Sequence, residues 1–243
     1  MLNMNCSGKI FLWLEDRKGK SSYIFWSTMT KHLIPSVTVE SKKNSSELVK
    51  AVKQLKDEEN QYIIVLDHSF DNLQIYKEQK ILKKCAEIKK NVHLLDLICF
   101  EYILLEFDQL ISWIYAPNDE FLTKRSEAIK ARNKLVETLQ SGNMNYKAMQ
   151  EVIEYDKYLD HHNIEQLSAK LLFDLTRNTG FEVSKGTIGD CWIKSCCEWM
   201  KRQDNDMCGL DYRRLSLKDK MWSIYTGTSL NREFAGMGLE VLR

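Results

Sequence analysis

The sequence has no long apolar run, few prolines and almost no net charge. None of its 243 residues lies in an apolar stretch of the roughly 20 residues that a membrane span needs. The N-terminus lacks the basic segment and apolar core that mark a signal peptide, so we expect none. The formal net charge is +1 and favours no particular class of partner, while only 2 prolines leave room for long helices. We therefore expect a soluble protein that does not bind membranes.

The cysteines do not form a disulfide framework. There are 7 of them, an odd number, scattered through segments with strand and helix patterns, which is typical of reduced thiols and predicts a cytoplasmic location. We expect Cys85 and Cys99 to be buried as small apolar residues. A C-terminal group lacks any Cys-x-x-Cys pair, so core packing is favoured over a zinc site. This group contains Cys191, Cys196, Cys197 and Cys208, with His161 and His162 upstream.

Short apolar runs alternate with amphipathic segments over the first 101 residues. The runs at 9–14, 61–66 and 92–100 are predicted to be buried strands, and 36–41 alternates like a strand nearer an edge. Helices are predicted between them at 21–33, from 44 and at 73–90. Because such alternation favours parallel strands joined by right-handed crossovers, we predict an α/β sheet flanked by helices, with 61–67 as an inner strand.

Strand patterns disappear after residue 101 and helical patterns replace them. An apolar helix is predicted over 103–114, and a long amphipathic helix from 118 or 119 to 140. Further helices are predicted at 146–159, 164–178, 190–202 and 216–225. We place a boundary at Pro117, which gives an α/β domain at 1–117 and an all-helical region at 118–243.

Carboxylates follow three of the predicted strands. Glu15 comes after the first strand, Asp67 and Asp71 come after the run at 61–66, and Glu101 comes after the last. The carboxyl ends of parallel strands meet at one edge of a sheet, so we expect these side chains to lie close together. Clustered carboxylates suit Mg²⁺ or Mn²⁺, which position a phosphate and activate a water. Alternatively, each carboxylate pairs with a cation of the loop 17–20 or caps the next helix.

These segments resemble the Toprim fold of topoisomerases, primases and OLD-family nucleases. The resemblance rests on an apolar strand followed by Glu15-Asp16 and a helix, and on the Val-Leu-Asp-x-x-x-Asp pattern within 64–71. Phe100-Glu101-Tyr102 also belongs to it. It covers about residues 9–115 and is closest to the OLD-like and related small bacterial defence-type proteins.

The Toprim resemblance implies a nuclease or phosphodiesterase that depends on Mg²⁺ or Mn²⁺ and acts on nucleic acid. It makes Glu15 a general base or metal ligand and Asp67 the main metal ligand, with Asp71 and Glu101 as auxiliary ligands. The usual Asp-x-Asp is altered, because Ser69 stands in place of its second aspartate. OLD-type nucleases usually carry an ATPase in the same chain. No phosphate-binding Gly-x-x-x-x-Gly-Lys-Ser/Thr occurs here, so an ATPase would be a separate partner protein.

Two other interpretations remain open. The altered acidic pattern also fits a non-catalytic, Toprim-derived module that binds a partner protein through its helical region. A response-regulator-like receiver has aspartates at strand ends as well, although the lysine expected after a later strand is not evident.

A run of lysines begins in the helix predicted after Asp71. Lysines of this kind neutralise nucleic-acid phosphates. We favour a solvated helix face instead, because no aromatic residue is expected among them to stack on bases. The lysines are Lys77, Lys80, Lys83, Lys84, Lys89 and Lys90.

Overall fold

The computed structural model describes residues 8–68, 73–115, 120–142, 152, 154–155, 164–195 and 215–243. The N-terminal part of these is a parallel four-stranded sheet with the strand order β2-β1-β3-β4. The strands are β1 (Ile10–Leu14), β2 (Val37–Ser41), β3 (Gln61–Val65) and β4 (Val92–Leu94). The helices between them are α1 (Ser21–Leu33), α2 (Ser45–Gln54) and α3 (Leu73–Ile88). The predicted α/β class, the inner position of β3 and the edge position of β2 are confirmed.

Both faces of the sheet are covered because successive strand side chains point to opposite sides. Leu12 and Ile63 belong to a core cluster that also contains the apolar side chains of α1. Trp13 and Ile64, their neighbours in sequence, belong to a second cluster with Leu82 of α3 and apolar residues of α2. All of β3 is buried, which explains its unbroken apolar sequence.

The predicted start of α2 is confirmed, whereas the end of α3 differs from its prediction. Asn44 is the N-cap of α2, and its side-chain oxygen accepts a hydrogen bond from the backbone N–H of Glu47 at 2.8 Å. Ile88 was predicted to point inward but is 80% exposed. It lies four residues after the exposed Lys84, and residues with that spacing share one helix face.

The prediction of a strand over 92–100 is wrong beyond Leu94. The chain leaves the sheet there and enters α4 (Phe100–Glu106), whose N-cap Cys99 accepts a hydrogen bond through Sγ from the N–H of Tyr102 at 3.4 Å. The run contains His93 and Asp96, and the exposed Asp96 lies just beyond the end of β4, where a strand buried on both faces could not continue. Glu101 therefore lies in the first turn of a helix and not at a strand end.

The predicted apolar helix over 103–114 is divided into α4 and α5 (Leu110–Ile114). The buried Arg132 explains the division. Its guanidinium donates hydrogen bonds to the carbonyls of Leu105 and Phe107, at 2.6 and 2.8 Å. Carbonyls at a helix end need partners of this kind, and here a side chain from a later helix supplies them.

The described helices of the remainder are α6 (Glu120–Lys124), α7 (Ser126–Gln140), α8 (Ile164–Thr176), α9 (Asp190–Ile193), α10 (Leu217–Thr226) and α11 (Leu230–Met237). The single helix predicted up to residue 140 is interrupted at Arg125, which is buried and donates to the Tyr115 hydroxyl at 3.1 Å. The helix predicted over 190–202 ends at Ile193 within the described residues. The helix predicted at 146–159 falls almost entirely outside them.

One large apolar cluster joins the sheet to the helical remainder. It includes Trp26 of α1, Leu105 of α4, Trp192 of α9 and Phe234 of α11. Pro117 lies outside the described residues, so the division at 117 stays a prediction. The part of the chain that the structure describes contains no helix long and apolar enough to cross a membrane.

The structure describes three cysteines, Cys85, Cys99 and Cys191, and the thiols of Cys85 and Cys99 are free. Cys99 and Cys191 are buried, and Cys85, which was predicted to be buried, is half-buried. Of the C-terminal Cys/His group only Cys191 lies within the described residues. It packs in the main core, as the sequence interpretation favoured for this group.

Candidate functional site

The strand order places the topological switch point of the sheet, where a crevice is expected, at the carboxyl ends of β1 and β3. The chain passes from β1 to β2 on one side and then returns to place β3 on the other side of β1. Such a reversal separates the loops that follow the two central strands, and ligands of open α/β sheets bind at this point. Glu15 directly follows β1, and Asp67 follows β3 by two residues.

The structure brings Glu15 and Asp67 together at this crevice. The backbone N–H of Asp67 donates a hydrogen bond to Oε1 of Glu15 at 3.2 Å. The parallel register explains the contact, because Leu14 is paired with Val65 and the two chains leave the sheet side by side. Gln79 of α3 fixes the same loop, since its Nε2 donates to the carbonyl of Asp67 at 3.0 Å.

Glu101 reaches the same group of charges from the first turn of α4. Its negative charge raises the pKa of Asp67, after the larger effects of burial and of Glu15. The first turn of a helix favours a carboxylate, because unpaired backbone N–H groups point towards it. Ser69, which stands in place of the second aspartate of the Asp-x-Asp pattern, lies outside the described residues, and so does the predicted auxiliary ligand Asp71.

Glu165 is a member of the cluster that the sequence analysis missed. It lies in the first turn of α8, and its charge raises the pKa of Glu15, Asp67 and Glu101. Glu165 is separated from Glu101 by 64 residues of sequence, and its position depends on how α8 packs in the core. No local pattern in the sequence identifies it.

Burial and mutual repulsion make these carboxyl groups hard to ionise. Burial raises the pKa of Glu15 to about 7, although the hydrogen bond from Asp67 opposes the rise. Burial likewise raises the pKa of Glu101 to about 7, with Lys185 opposing it. The pKa of Asp67 lies well above its usual value, first because of burial and then because of Glu15. Near neutral pH these groups therefore hold protons or need a cation nearby.

No cation of the described chain is paired with these carboxylates. None of the ion pairs among the described residues includes Glu15, Asp67 or Glu101. The alternative that Glu15 pairs with the loop 17–20 or caps the next helix is not supported. The N-cap of α1 is Lys20, without a side-chain cap.

A further buried carboxylate lies beside the crevice on α3. Glu78 is only 8% exposed, and its charge acts on Glu15. Its Oε1 accepts a hydrogen bond from the Ser46 hydroxyl at 3.0 Å, whereas its Oε2 has no hydrogen-bond partner among the described residues. A buried oxygen without a donor is costly, so Glu78 adds to the excess of negative charge here.

The donor set fits a hydrated Mg²⁺ or Mn²⁺ rather than a cation enclosed by protein. Within the described ranges, no three Asp, Glu, His or Cys side chains are placed to hold a metal ion. Mg²⁺ commonly uses only one or two protein carboxylates and otherwise retains water or binds substrate phosphates. Glu15 and Asp67 supply such a pair of carboxylates.

Comparison with known proteins gives no information about function, so the evidence for function is the geometry of the carboxylate site. Scans against protein-family models, curated proteins and solved structures find no match to this chain. The Toprim resemblance therefore stays a prediction, and the interpretation of the site rests on its own charges and contacts.

Proposed function

We propose that the protein is a Toprim-like, Mg²⁺- or Mn²⁺-dependent nuclease or phosphodiesterase. The observation that carries the proposal is the group of carboxyl groups with raised pKa at the crevice between β1 and β3, without a paired cation in the described chain. Crowded, partly buried carboxylates destabilise a fold unless a cation joins them. Strongly perturbed pKa values in a cleft are typical of functional sites.

Each residue has a chemical role in this proposal. Glu15 and Asp67 hold the cation, with Asp71 and Glu101 as auxiliary ligands. When bound, the cation polarises a phosphoryl oxygen and lowers the pKa of a bound water. Where Glu15 is not itself a ligand of the cation, its raised pKa of about 7 would suit it as the general base that accepts a proton from an attacking water. The backbone N–H of Asp67 orients the Glu15 carboxylate, and Gln79 holds the Asp67 loop in place.

We also propose a partner and a location for the protein. A separate protein such as an ATPase would accompany the nuclease, because the sequence has no phosphate-binding loop. Phage defence is the expected context, from the Toprim resemblance. Free thiols at Cys85 and Cys99 suit a reducing compartment such as the cytoplasm.

The test combines thermal stability with nuclease activity. A cation that binds only the folded protein stabilises it, by about 2.7 kcal/mol at 100 times its Kd. We expect Mn²⁺ to raise the Tm of the wild type and to support cleavage of nucleic acid, and Asp67→Asn to abolish both effects. Glu127→Gln is the matched control, since Glu127 is exposed and, among the described residues, pairs with Lys130 of its own helix α7. Absence of binding at millimolar Mn²⁺ would favour the non-catalytic interaction module.

A further inference from the structure

We infer that the exposed face of α3 binds single-stranded nucleic acid and directs it to the carboxylate crevice. This inference rests on the proposed function and adds the form of the substrate and the surface that selects it. The surface is defined by Leu73, Tyr76, Lys77, Lys80, Lys83 and Lys84, and we call it the α3 face.

The start of α3 extends past the carboxyl edge of the sheet. Gln79, the seventh residue of the helix, is the one that contacts the carbonyl of Asp67. The chain enters α3 from the loop that follows β3, so the six residues before Gln79 lie on the loop side of this contact, over a length of about 9 Å at 1.5 Å per residue. The neighbouring Glu78 acts on Glu15 from the buried side of the same turn. The opposite side of the first turns of α3 is therefore an exposed surface beside the crevice.

The α3 face combines positive charge with an exposed aromatic ring. Tyr76 is 47% exposed and Leu73 is 66% exposed, unusually high for large apolar side chains. Nζ of Lys80 lies 4.6 Å from the centroid of the Tyr76 ring. Our interpretation of the sequence, that no aromatic lies among these lysines, is therefore wrong. The lysines of the face are exposed and belong to none of the ion pairs of the described residues.

Helical spacing places these side chains in one continuous strip. Lys77, Lys80 and Lys84 follow one another at intervals of three and four residues, so they lie along one side of the helix. Tyr76 is four residues before Lys80 and seven before Lys83, and it therefore borders the same strip.

This combination favours single strands over other polyanions. Lysines bind phosphates whatever the sequence or pairing of the nucleic acid. An exposed tyrosine adds energy only when an unpaired base stacks on its ring. Duplex DNA and acidic proteins would meet the lysines without using Tyr76, so the dependence on this ring distinguishes the possible ligands.

Binding is tested on the full chain in EDTA, by fluorescence anisotropy with labelled oligothymidylate and a duplex of the same length. Measuring without divalent cations separates this test from that of the carboxylate site. We expect tighter binding of the single strand. Tyr76→Ala should weaken it about 5- to 150-fold, the range for loss of one stacked base, and Tyr76→Phe should retain most of the affinity.

The charge contribution has its own matched control. Lys80→Gln with Lys84→Gln should lower the slope of log affinity against log salt by about 1.4, or about 0.7 for each phosphate that is no longer neutralised. Lys50→Gln with Lys53→Gln removes equal charge from the exposed side of α2 and should leave the slope unchanged.

Several results would overturn the inference. Equal effects of the two lysine pairs would show non-specific attraction only. Equal affinity for duplex or for polyglutamate, with Tyr76→Ala neutral, would show that no base stacks on α3. Absence of nucleic-acid binding would also overturn it, while Mn²⁺ binding through Asp67 in the same preparation would leave the cation site of the proposed function intact.

Discussion

Carboxylates at the two edges of the sheet have pKa values shifted in opposite directions. At the amino edge, Asp57 accepts hydrogen bonds from the Tyr62 hydroxyl at 2.6 Å and from the backbone N–H of Glu59 at 2.8 Å. These donors, with the Tyr62 hydroxyl the largest contributor, lower the pKa of Asp57 to about 2. At the carboxyl edge, burial raises the pKa of Glu15 and Glu101 to about 7.

The difference shows which carboxylates serve the fold. Asp57 has a structural role, because the hydrogen bonds that it accepts from Tyr62 and Glu59 hold the segment before β3 against the start of that strand. Glu15 and Asp67 have few donors and several acidic neighbours. Near and above neutral pH, where they ionise, their arrangement costs stability unless a cation is bound. Sites that trade stability for function have this character.

The largest expected difference between the edges is in pH dependence. A carboxyl group with a raised pKa binds more protons in the folded than in the unfolded state, so its contribution to stability is present below the unfolded pKa of about 4.5 and is lost as pH rises through 7. In EDTA, urea denaturation should show a lower free energy of unfolding at pH 8 than at pH 5, by roughly 3 kcal/mol for one such group.

Substitution separates the groups responsible for this pH dependence. Glu15→Gln and Glu101→Gln should each reduce it, whereas Asp57→Asn should not, since the pKa of Asp57 lies far below this range. A free energy of unfolding that is constant from pH 5 to 8 in the wild type would contradict the raised pKa values. With saturating Mg²⁺ we expect the loss at pH 8 to be largely reversed, because the cation favours the ionised carboxylates.

A smaller effect is expected from a substitution at the amino edge. The buried Asn91 donates through Nδ2 to the carbonyls of Asp57 and Asn60, both at 2.8 Å. Asn91→Ala leaves these carbonyls without that donor and should lower the free energy of unfolding by about 1–3 kcal/mol. The loss should be the same in EDTA and in Mg²⁺. A loss that Mg²⁺ reverses would show that the two edges are not independent.

The smallest expected effect comes from Glu165, which joins the helical region to the cluster. Glu165→Gln removes one repelling charge and should move the midpoint of the pH dependence to lower pH. An effect of about 0.2–1 kcal/mol, as for exposed charge pairs, corresponds to less than one pH unit. Urea denaturation across pH 5–8 in EDTA measures it, with Glu127→Gln as the control. An unchanged midpoint would remove Glu165 from the cluster.

Features that depend on neighbouring residues could be predicted from the sequence. Features that depend on tertiary contacts could not. The sequence predicted β1, β3 and the N-cap of α2, because apolar runs and capping residues act over a few positions. It did not predict the break at Phe107, which depends on Arg132 from α7. At the site, the topology explains why Glu15 and Asp67 meet. Glu165 required the packed structure, since its position does not follow from residue spacing. Tyr76 lies at helical spacing from Lys80, so the sequence was sufficient to place it among the lysines and our interpretation missed it.

The most direct test is an NMR titration of the side-chain carboxyl carbons of Glu15, Asp67 and Glu101, with and without Mg²⁺. We expect pKa values of about 7 for Glu15 and Glu101 in EDTA and a pKa for Asp67 well above its usual value. All three should fall when Mg²⁺ is added, because a bound cation favours the ionised forms. Ordinary pKa values in EDTA that Mg²⁺ does not change would contradict the claim that this edge of the sheet holds a cation site.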